Sequence, residues 1–187
     1  MAQEIDKLSI GQLGALFPII IKKYNPQWPE IYQAEKEKIV DIINKNWLLS
    51  INHIGSTAIP GIMAKPTIDI LIEVSELFDK EAFIERFRTI GYHYIPQPEN
   101  PAPHIMLTKG YTPKGFKGQA FHVHVRYKGG WDEIYFRDYL RKHLETAKAY
   151  EKLKLELANK HKHNREDYTD AKTDFIKEVM KFAKPSS

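Results

Sequence analysis

One short segment limits the folds open to this chain, because it places an aspartate inside a β-branched run soon after a glycine-serine turn. The run is TIDILIEV, residues 67–74, and Asp69 stands between Ile68 and Ile70. Short β-branched runs bounded by turn residues are typical of strands. A carboxylate removed from water needs a partner, a metal ion or a shifted pKa. The segment therefore predicts a strand that carries either a structural ion pair or a functional acid.

The alternation of side chains along a strand predicts the neighbours of this aspartate. A second strand is predicted in AFHVHVRY, residues 120–127. If both strands belong to one sheet, a single register buries their aliphatic residues under helices and gathers the polar ones on the other face. Those polar residues are Asp69, Glu73, His122, His124 and Arg126, with His53 at the border. An ordinary polar sheet face with cross-strand ion pairs and a functional cleft both fit this pattern.

The rest of the chain predicts strands followed by helices. Further strands are expected in FPIIIKK (17–23), WLLSINHI (47–54), YHYI (92–95) and HIMLTKG (104–110). Helices are expected from Pro29, after Asp79, and near 132–146, 148–162 and 166–183. The segment GYTPKGFKGQ, which lies between two strands, is predicted to be a mobile basic loop. This order indicates an α+β fold, with a mixed sheet, flanking helices and a helical C-terminal third. A length of 187 residues suits one domain over 1–187, with the sheet in 17–130 and C-terminal helices in 131–187.

Composition excludes several kinds of site and partner. The chain has no cysteine, which excludes disulfides, thiolate metal sites and a cysteine nucleophile. A net charge of +4 is compatible with phosphorylated ligands but too small to indicate a nucleic-acid binder. No apolar run approaches the roughly 18 residues of a membrane span, and the N-terminus MAQEIDKLSIGQLG lacks the pattern of a signal peptide. The sequence therefore predicts a soluble cytoplasmic protein with no membrane or nucleic-acid partner, and it leaves the oligomeric state open.

The turn before the strand that carries Asp69 has a known chemical use. Free backbone amides after such a turn bind phosphate, and a carboxylate on the next strand can hold Mg²⁺ or Mn²⁺ against the same phosphates. Gly55 and Ser56 precede Asp69 at a spacing that resembles the pattern of the nucleotidyltransferase superfamily.

A longer match is more specific. The blocks HIGSTAIPGIMAKPTIDILIEV, FHVHVRYKGG, FRDYLRKH and YTDAKTDFIKEVM occur in the order typical of the GrpB family, also designated UPF0157. The chain resembles that family over nearly its whole length. The resemblance implies a nucleotidyltransferase-like α+β fold and a link to nucleotide metabolism, because similar domains occur fused to dephospho-coenzyme A kinases. It implies no particular reaction.

The chain departs from the superfamily pattern at the acidic residues. The second carboxylate of the pair would fall at position 71, where this sequence has Leu71, and histidines stand where the third carboxylate is expected. Glu73 shares the face of Asp69, but it lies two residues beyond the expected position 71, about 7 Å further along the strand. Two-metal nucleotidyl transfer uses acidic residues to bridge two ions, so this departure weakens the expectation of that reaction.

The first hypothesis is a site for a nucleotide or another phosphorylated ligand, with a nucleotidyltransferase-like reaction as its further step. Asp69 is the candidate catalytic residue and would place one Mg²⁺ or Mn²⁺. The candidate phosphate ligands are Gly55, Ser56, Thr57 and Lys65, with Arg126 or Lys128 at the far end of the bound molecule. The alternative is that Gly55 only turns the chain and that Lys65 is solvated.

The second hypothesis is a metal site of a different kind. Two histidines and a carboxylate suit Zn²⁺, Mn²⁺ or Fe²⁺, so Asp69, His122 and His124 are candidate ligands of a metal-dependent hydrolase. The alternative is that the histidines are hydrogen-bonded neighbours of the carboxylates.

The third hypothesis is a binding or interaction module without catalysis, which Leu71 favours. If the C-terminal helices close over the polar face, the candidate lining residues are His53, Glu73, Arg137, Tyr168, Asp170 and Lys172. Helix packing and charge pairs within a helix are the alternative explanation for the last four.

Overall fold

Five strands form one mixed sheet in the order β1-β2-β5-β4-β3. The strands are β1 Leu48–Ile54, β2 Thr67–Val74, β3 His93–Ile95, β4 Ile105–Thr112 and β5 Gly115–Tyr127. β2 and β5 pair in parallel at the centre, and the other pairs are antiparallel. The computed structural model describes residues 9–97 and 99–184. The α+β prediction is confirmed.

Seven helices surround this sheet in the described residues. They are α1 Ile10–Leu16, α2 Trp28–Ile42, α3 Lys80–Thr89, α4 Asp132–Lys142, α5 Leu144–Lys160, α6 Arg165–Asp170 and α7 Thr173–Ala183. Side-chain caps start three of them, because Ser9, Asp79 and Asn164 each accept a hydrogen bond from a backbone N–H in the first turn. Pro29 lies in the first turn of α2, where its missing N–H has no helical partner to lose.

The aliphatic face of the sheet forms the main core with α2 and α3. Ile68, Ile70 and Ile72 of β2 are fully buried beside Val123 and Val125 of β5. The helices contribute Trp28, Ile39, Phe83 and Phe87 to the same cluster. Burying one such side chain is worth about 1.5 to 3 kcal/mol, so this face supplies much of the stability of the fold.

The C-terminal helices cover the opposite face of the sheet. A second apolar cluster joins Ile59 and Ile62 with Phe136, Leu140, Tyr150, Val179 and Met180. Two arginines of α4 anchor that helix to the sheet side, since Arg137 donates to the His53 carbonyl and Arg141 to the Ala58 carbonyl, each at 2.9 Å. The C-terminal helices therefore cover the predicted polar face of the sheet, which does not lie open to solvent.

Two sequence predictions about strands and loops are wrong. FPIIIKK is not a strand, because its one β-bridge joins Lys22 to Ala64. The Ile19 N–H donates to the Lys162 carbonyl, so this segment packs against the C-terminal region. GYTPKGFKGQ is not a mobile loop, because it forms the tip of the β4–β5 hairpin. There Tyr111 and Phe116 pack on Phe17.

Helix boundaries also differ from the prediction near the C-terminus. The first two C-terminal helices meet at His143, four residues before the predicted break. The predicted single helix over 166–183 is two helices, since the Ala171 and Lys172 N–H groups close a tight turn on Asp167 and Thr169.

Within the described residues, no helix combines the length and the apolar character that crossing a bilayer requires. The expectation about an N-terminal leader concerns residues that include 1–8, which lie outside the described residues. The prediction of one domain over 1–187 also extends beyond them and stays a prediction.

Candidate functional site

The parallel pairing of β2 and β5 brings the predicted polar residues side by side. Asp69 lies opposite His122, and Glu73 lies opposite Arg126. Paired residues on neighbouring strands point to the same face of a sheet. The Asp69 Oδ1 atom is 3.1 Å from His122 Nδ1. Alternation along each strand thus places an acid and an imidazole in direct contact, although 53 positions separate them in the chain.

His124 completes a three-residue cluster with Asp69 and His122. One potential ligand atom from each residue lies within 4.8 Å of the other two. Burial lowers the pKa of His122, and it lowers the pKa of His124 to about 4. Burial opposes ionisation of Asp69, but the hydrogen bond and charge of His122 and the charges of His124 and Lys65 outweigh it and hold its pKa below the usual value. Neutral imidazoles and an ionised carboxylate are the states in which these groups bind metals.

Gly55 allows the carboxylate of Asp69 to lie against the backbone of the turn. Its φ of +70° belongs to the left-handed region, which favours glycine. A Cβ atom at this position would collide with Asp69 Oδ2. The Gly-Ser turn therefore has a steric role in the site in addition to any contact with a ligand.

A cavity of about 500 Å³ lies between this cluster and the C-terminal helices. Four basic residues line it, Lys65, Lys154, Arg165 and Lys172, against two acidic ones, Asp69 and Glu133. Apolar and aromatic side chains form the rest of the wall, among them Ile54, Met106, Phe136, Tyr150 and Tyr168. An excess of positive charge beside apolar surface suits an anionic small molecule that also has an apolar part.

Three of the four basic residues have perturbed pKa values. Burial lowers the pKa of Lys65 to about 7, and the neighbouring charge of Arg165 adds to the effect. Burial also lowers the pKa of Lys154 to about 7 and that of Lys172 to about 8. Lys154 Nζ donates to the Met63 carbonyl at 2.5 Å, whereas Lys172 Nζ lies 4.3 Å from the centre of the Tyr168 ring. Perturbed lysines in a cavity are candidates for function, since an anionic ligand would restore their charge.

A chain of hydrogen bonds leads from the cluster to the C-terminal helices. The Tyr111 hydroxyl is 2.6 Å from His122 Nε2, and Arg165 donates to that hydroxyl at 3.3 Å. The guanidinium of Arg165 also lies over the Tyr111 ring.

Sequence reasoning missed Tyr111, Lys154 and Arg165. Tyr111 lies in the segment predicted to be a loop, although the short turn Pro113-Lys114 between GYT and GFKGQ is a signal for a hairpin. Arg165 follows the capping residue Asn164, and that cap was the signal for a separate helix beginning there. Lys154 had no signal, because it lies among many charged residues of an amphipathic helix.

The structure brings some of the predicted site residues into the cavity and leaves others outside. Gly55, Ser56, Lys65, Asp69, His122, His124, Tyr168 and Lys172 all line it.

Four predicted residues make buried or half-buried contacts elsewhere. Thr57 donates to the Thr67 carbonyl and contacts the His53 ring, which stacks on Tyr32. Glu73 accepts hydrogen bonds from the Ser50 hydroxyl and the Gly129 N–H. Arg137 anchors α4 through the His53 carbonyl. These contacts hold the elements around the cavity together.

Three further predicted residues also lie outside the cavity lining. The guanidinium of Arg126 lies over the Trp131 ring, 5.7 Å from its centre. Lys128 and Asp170 are exposed. Arg126 and Lys128 are therefore not among the basic residues that line the cavity, which are Lys65, Lys154, Arg165 and Lys172.

The fold and the site together define an α+β protein whose helical C-terminal region closes a basic cavity over the polar face of a mixed sheet. The family model described as GrpB protein matches residues 18–181, and the chain belongs to the GrpB family. The nucleotidyltransferase-like part of the fold prediction stays a prediction.

Similar proteins support this assignment. A Glutamate-rich protein GrpB of Alkalihalophilus pseudofirmus is 34% identical over 87% of this chain and 94% of its own. The UPF0157 protein YqkA of Bacillus subtilis is 34% identical over 97% of this chain, which spans 53% of that relative. The crystal structure of GrpB from Enterococcus faecalis superposes with a TM-score of 0.76 at 32% identity, covering 88% of this chain and 96% of the other.

Proposed function

We propose that this protein binds a phosphorylated small molecule, such as a nucleotide, together with one divalent metal ion in the cavity under its C-terminal helices. One observation carries the proposal. The cluster of Asp69, His122 and His124 shares a cavity with four basic side chains, so candidate ligands of an ion and of a phosphate line the same space.

The charge and size of the cavity support a phosphorylated ligand. The basic groups outnumber the acidic groups by four to two. Each lysine with a lowered pKa would gain a favourable partner from a bound phosphate. A volume of about 500 Å³ is within the range of small-molecule sites, and the aromatic walls at Tyr150 and Tyr168 provide apolar surface for the remainder of the ligand.

The donor set supports an ion that accepts nitrogen ligands. Two imidazoles and one carboxylate favour Zn²⁺, Mn²⁺ or Fe²⁺, whereas Mg²⁺ prefers oxygen ligands and keeps its water. The Gly-Ser turn followed by Asp69 predicts Mg²⁺ or Mn²⁺, so Mn²⁺ is the ion that satisfies both expectations. The ion would sit between the sheet and the phosphate, where it would neutralise charge that the lysines alone would have to balance.

A metal-dependent phosphoester hydrolysis is the second candidate function, and the same donor set favours it. Three protein ligands leave positions for water and substrate, which is the arrangement of catalytic metal sites. Nucleotidyl transfer with two metal ions receives less support. It needs a second carboxylate beside Asp69, and the position holds Leu71, which is fully buried.

Calorimetric titration of the untagged protein tests the proposal. Mn²⁺, Zn²⁺ and Mg²⁺ are titrated alone and with ADP, and thermal unfolding is followed in parallel. A ligand at about 100 times its dissociation constant should raise the free energy of unfolding by about 2.7 kcal/mol. We expect ADP to bind more tightly when Mn²⁺ or Zn²⁺ is present.

Two matched pairs of variants locate the site. Asp69→Asn should abolish ion binding while Asp170→Asn, at an exposed acid outside the cavity, leaves it unchanged. Lys172→Ala should weaken ADP binding while Lys128→Ala, at an exposed lysine outside the cavity, does not. Equal binding by Asp69→Asn and the parent protein would contradict the metal site, and equal binding by the two lysine variants would contradict the ligand site.

A further inference from the structure

The hydrogen bonds of His122 raise a question about how it could bind an ion. Both of its ring nitrogens already have partners, because Nδ1 lies 3.1 Å from Asp69 Oδ1 and Nε2 lies 2.6 Å from the Tyr111 hydroxyl. An ion held by Asp69 and His122 would have to replace the first of these hydrogen bonds. The hydrogen bond between Nε2 and the Tyr111 hydroxyl would then fix the orientation of the imidazole ring.

The chemistry of the partners fixes the direction of each hydrogen bond in the metal-free protein. An ionised carboxylate only accepts, so the Asp69 contact requires a proton on His122 Nδ1. A neutral imidazole carries one N–H, which leaves Nε2 as an acceptor. The Tyr111 hydroxyl therefore donates to Nε2, and its oxygen accepts from Arg165.

An ion bound at Nδ1 would reverse the second hydrogen bond. The Nδ1 proton would be released to solvent and Nε2 would take up one proton from solvent, so the ring would stay neutral with its N–H on Nε2. The new Nε2–H then donates to the oxygen of Tyr111. The hydroxyl proton would turn away from Nε2. A hydroxyl can make this change because it both donates and accepts.

We propose that Tyr111 is a positioning residue of the metal site, whose hydroxyl holds His122 in the Nδ1–H tautomer without an ion and in the Nε2–H tautomer with one. The inference rests on the proposed function, since it concerns the ion held by Asp69, His122 and His124. Tyr111 is not one of the residues that line the cavity, and it would not touch the ion. It acts through the ring of His122, as outer groups of metal sites generally do.

Tyrosine suits this position because its ring is held independently of its hydroxyl. The ring packs against Phe17 and Phe116, with centroid distances of 5.1 and 5.2 Å, and the Arg165 guanidinium lies over it. Tyr111→Phe keeps this packing and removes only the hydroxyl. The imidazole N–H of a metal-bound His122 would then lose its acceptor.

Nitrogen-15 NMR of the histidine side chains tests the first half of the proposal. In the metal-free protein, long-range couplings should show His122 with its proton on Nδ1. After Zn²⁺ is added, the proton should be on Nε2. A proton on Nε2 in the metal-free protein would overturn the proposal whether or not an ion binds.

The affinity for Zn²⁺ tests the second half. Tyr111→Phe should lower it about 10- to 100-fold, the usual effect of removing an outer partner of a metal-bound histidine. Tyr94→Phe removes a hydroxyl outside the cavity and should leave the affinity unchanged. Equal affinities for the parent and Tyr111→Phe would overturn the role of Tyr111.

The two measurements separate failure of this inference from failure of the proposed function. Suppose that the parent protein binds no ion and that His122 has its proton on Nδ1. The proposed metal site is then wrong. Tyr111 takes part only in the metal-free hydrogen-bond chain, and the inference about the metal-bound state is overturned. If the ion binds but either the tautomer or the variant gives the contrary result, the metal site stands and the role of Tyr111 falls.

Discussion

Glu35 is fully buried and Asp69 is partly shielded from bulk water, and the surroundings of these two carboxylates differ. The side chain of Glu35 is 2% exposed and accepts hydrogen bonds from Lys38, Tyr92 and Lys109. Burial opposes its ionisation, but the two lysines outweigh that effect and hold its pKa below the usual value. Its acceptor capacity is used by contacts within the protein, and it does not line the cavity at Asp69.

Asp69 is held differently. Within the described residues its side chain has one hydrogen bond, from His122, although four basic groups line the same cavity. The remaining acceptor capacity of the carboxylate is directed to a space that a ligand could fill. The comparison shows that burial alone does not distinguish a structural acid from one proposed to bind a ligand. A more informative feature is how many hydrogen bonds the carboxylate accepts from the protein, compared with the number that it can accept.

The largest predicted effect concerns the structural acid. Glu35→Ala should lower the free energy of unfolding by about 3 kcal/mol, because it leaves Lys109 and the Tyr92 hydroxyl without their partner. Urea denaturation measures the change, and Glu37→Ala, at an exposed acid of the same helix, is the control. Binding of ADP and Mn²⁺ should be unaffected. A loss of binding without a loss of stability would reverse the roles assigned to the two acids.

A smaller effect is expected at the turn beside Asp69. Gly55→Ala should lower the free energy of unfolding by about 2 kcal/mol, since it combines a positive φ with a collision against the carboxylate. It should also weaken ion binding by displacing Asp69. Gly61→Ala has a similar φ of +82° but nothing within 4 Å of the added methyl group. Calorimetry on both variants separates backbone strain from displacement of the acid, and equal ion affinities would contradict the displacement.

Asp69, the proposed ion ligand, should contribute little to stability. Asp69→Asn keeps an oxygen that accepts from His122, so we expect the free energy of unfolding to change by less than about 1 kcal/mol. Ion binding should nevertheless be lost. A decrease in stability as large as that of Glu35→Ala would show that Asp69 is a structural acid as well, and it would remove the contrast between the two.

The smallest effect is a dependence on pH. Burial lowers the pKa of Lys65 to about 7 and that of Lys172 to about 8, so ADP affinity should weaken as the pH rises through this range. Unfolded lysines keep their protons to higher pH, so the unfolded state binds more protons above pH 7 and the free energy of unfolding contributed by these groups rises with pH. Titration calorimetry from neutral to alkaline pH measures the affinity. Lys65→Arg stays charged and should flatten the profile, and an unchanged profile would exclude Lys65.

The sequence predicted the parts of the fold and site that depend on local pattern. The limits of β2 agree with the prediction, and alternation correctly assigned Asp69, His122 and His124 to one face. The position of α6 and α7 over that face depends on contacts distant in sequence, which periodicity does not contain. For the same reason Arg165 and Tyr111 were missed, since their relation to His122 arises only when the β4–β5 hairpin and the C-terminal helices pack together.

The parallel pairing of β2 with β5 has a consequence for the kinetics of folding. Asp69 and His122 are 53 residues apart, and contacts between distant residues form late because closing the intervening chain costs entropy. An ion that needs both residues would bind after these strands have paired. Its stabilisation would therefore appear as slower unfolding at an unchanged folding rate, so the metal would extend the lifetime of the native state without guiding its formation.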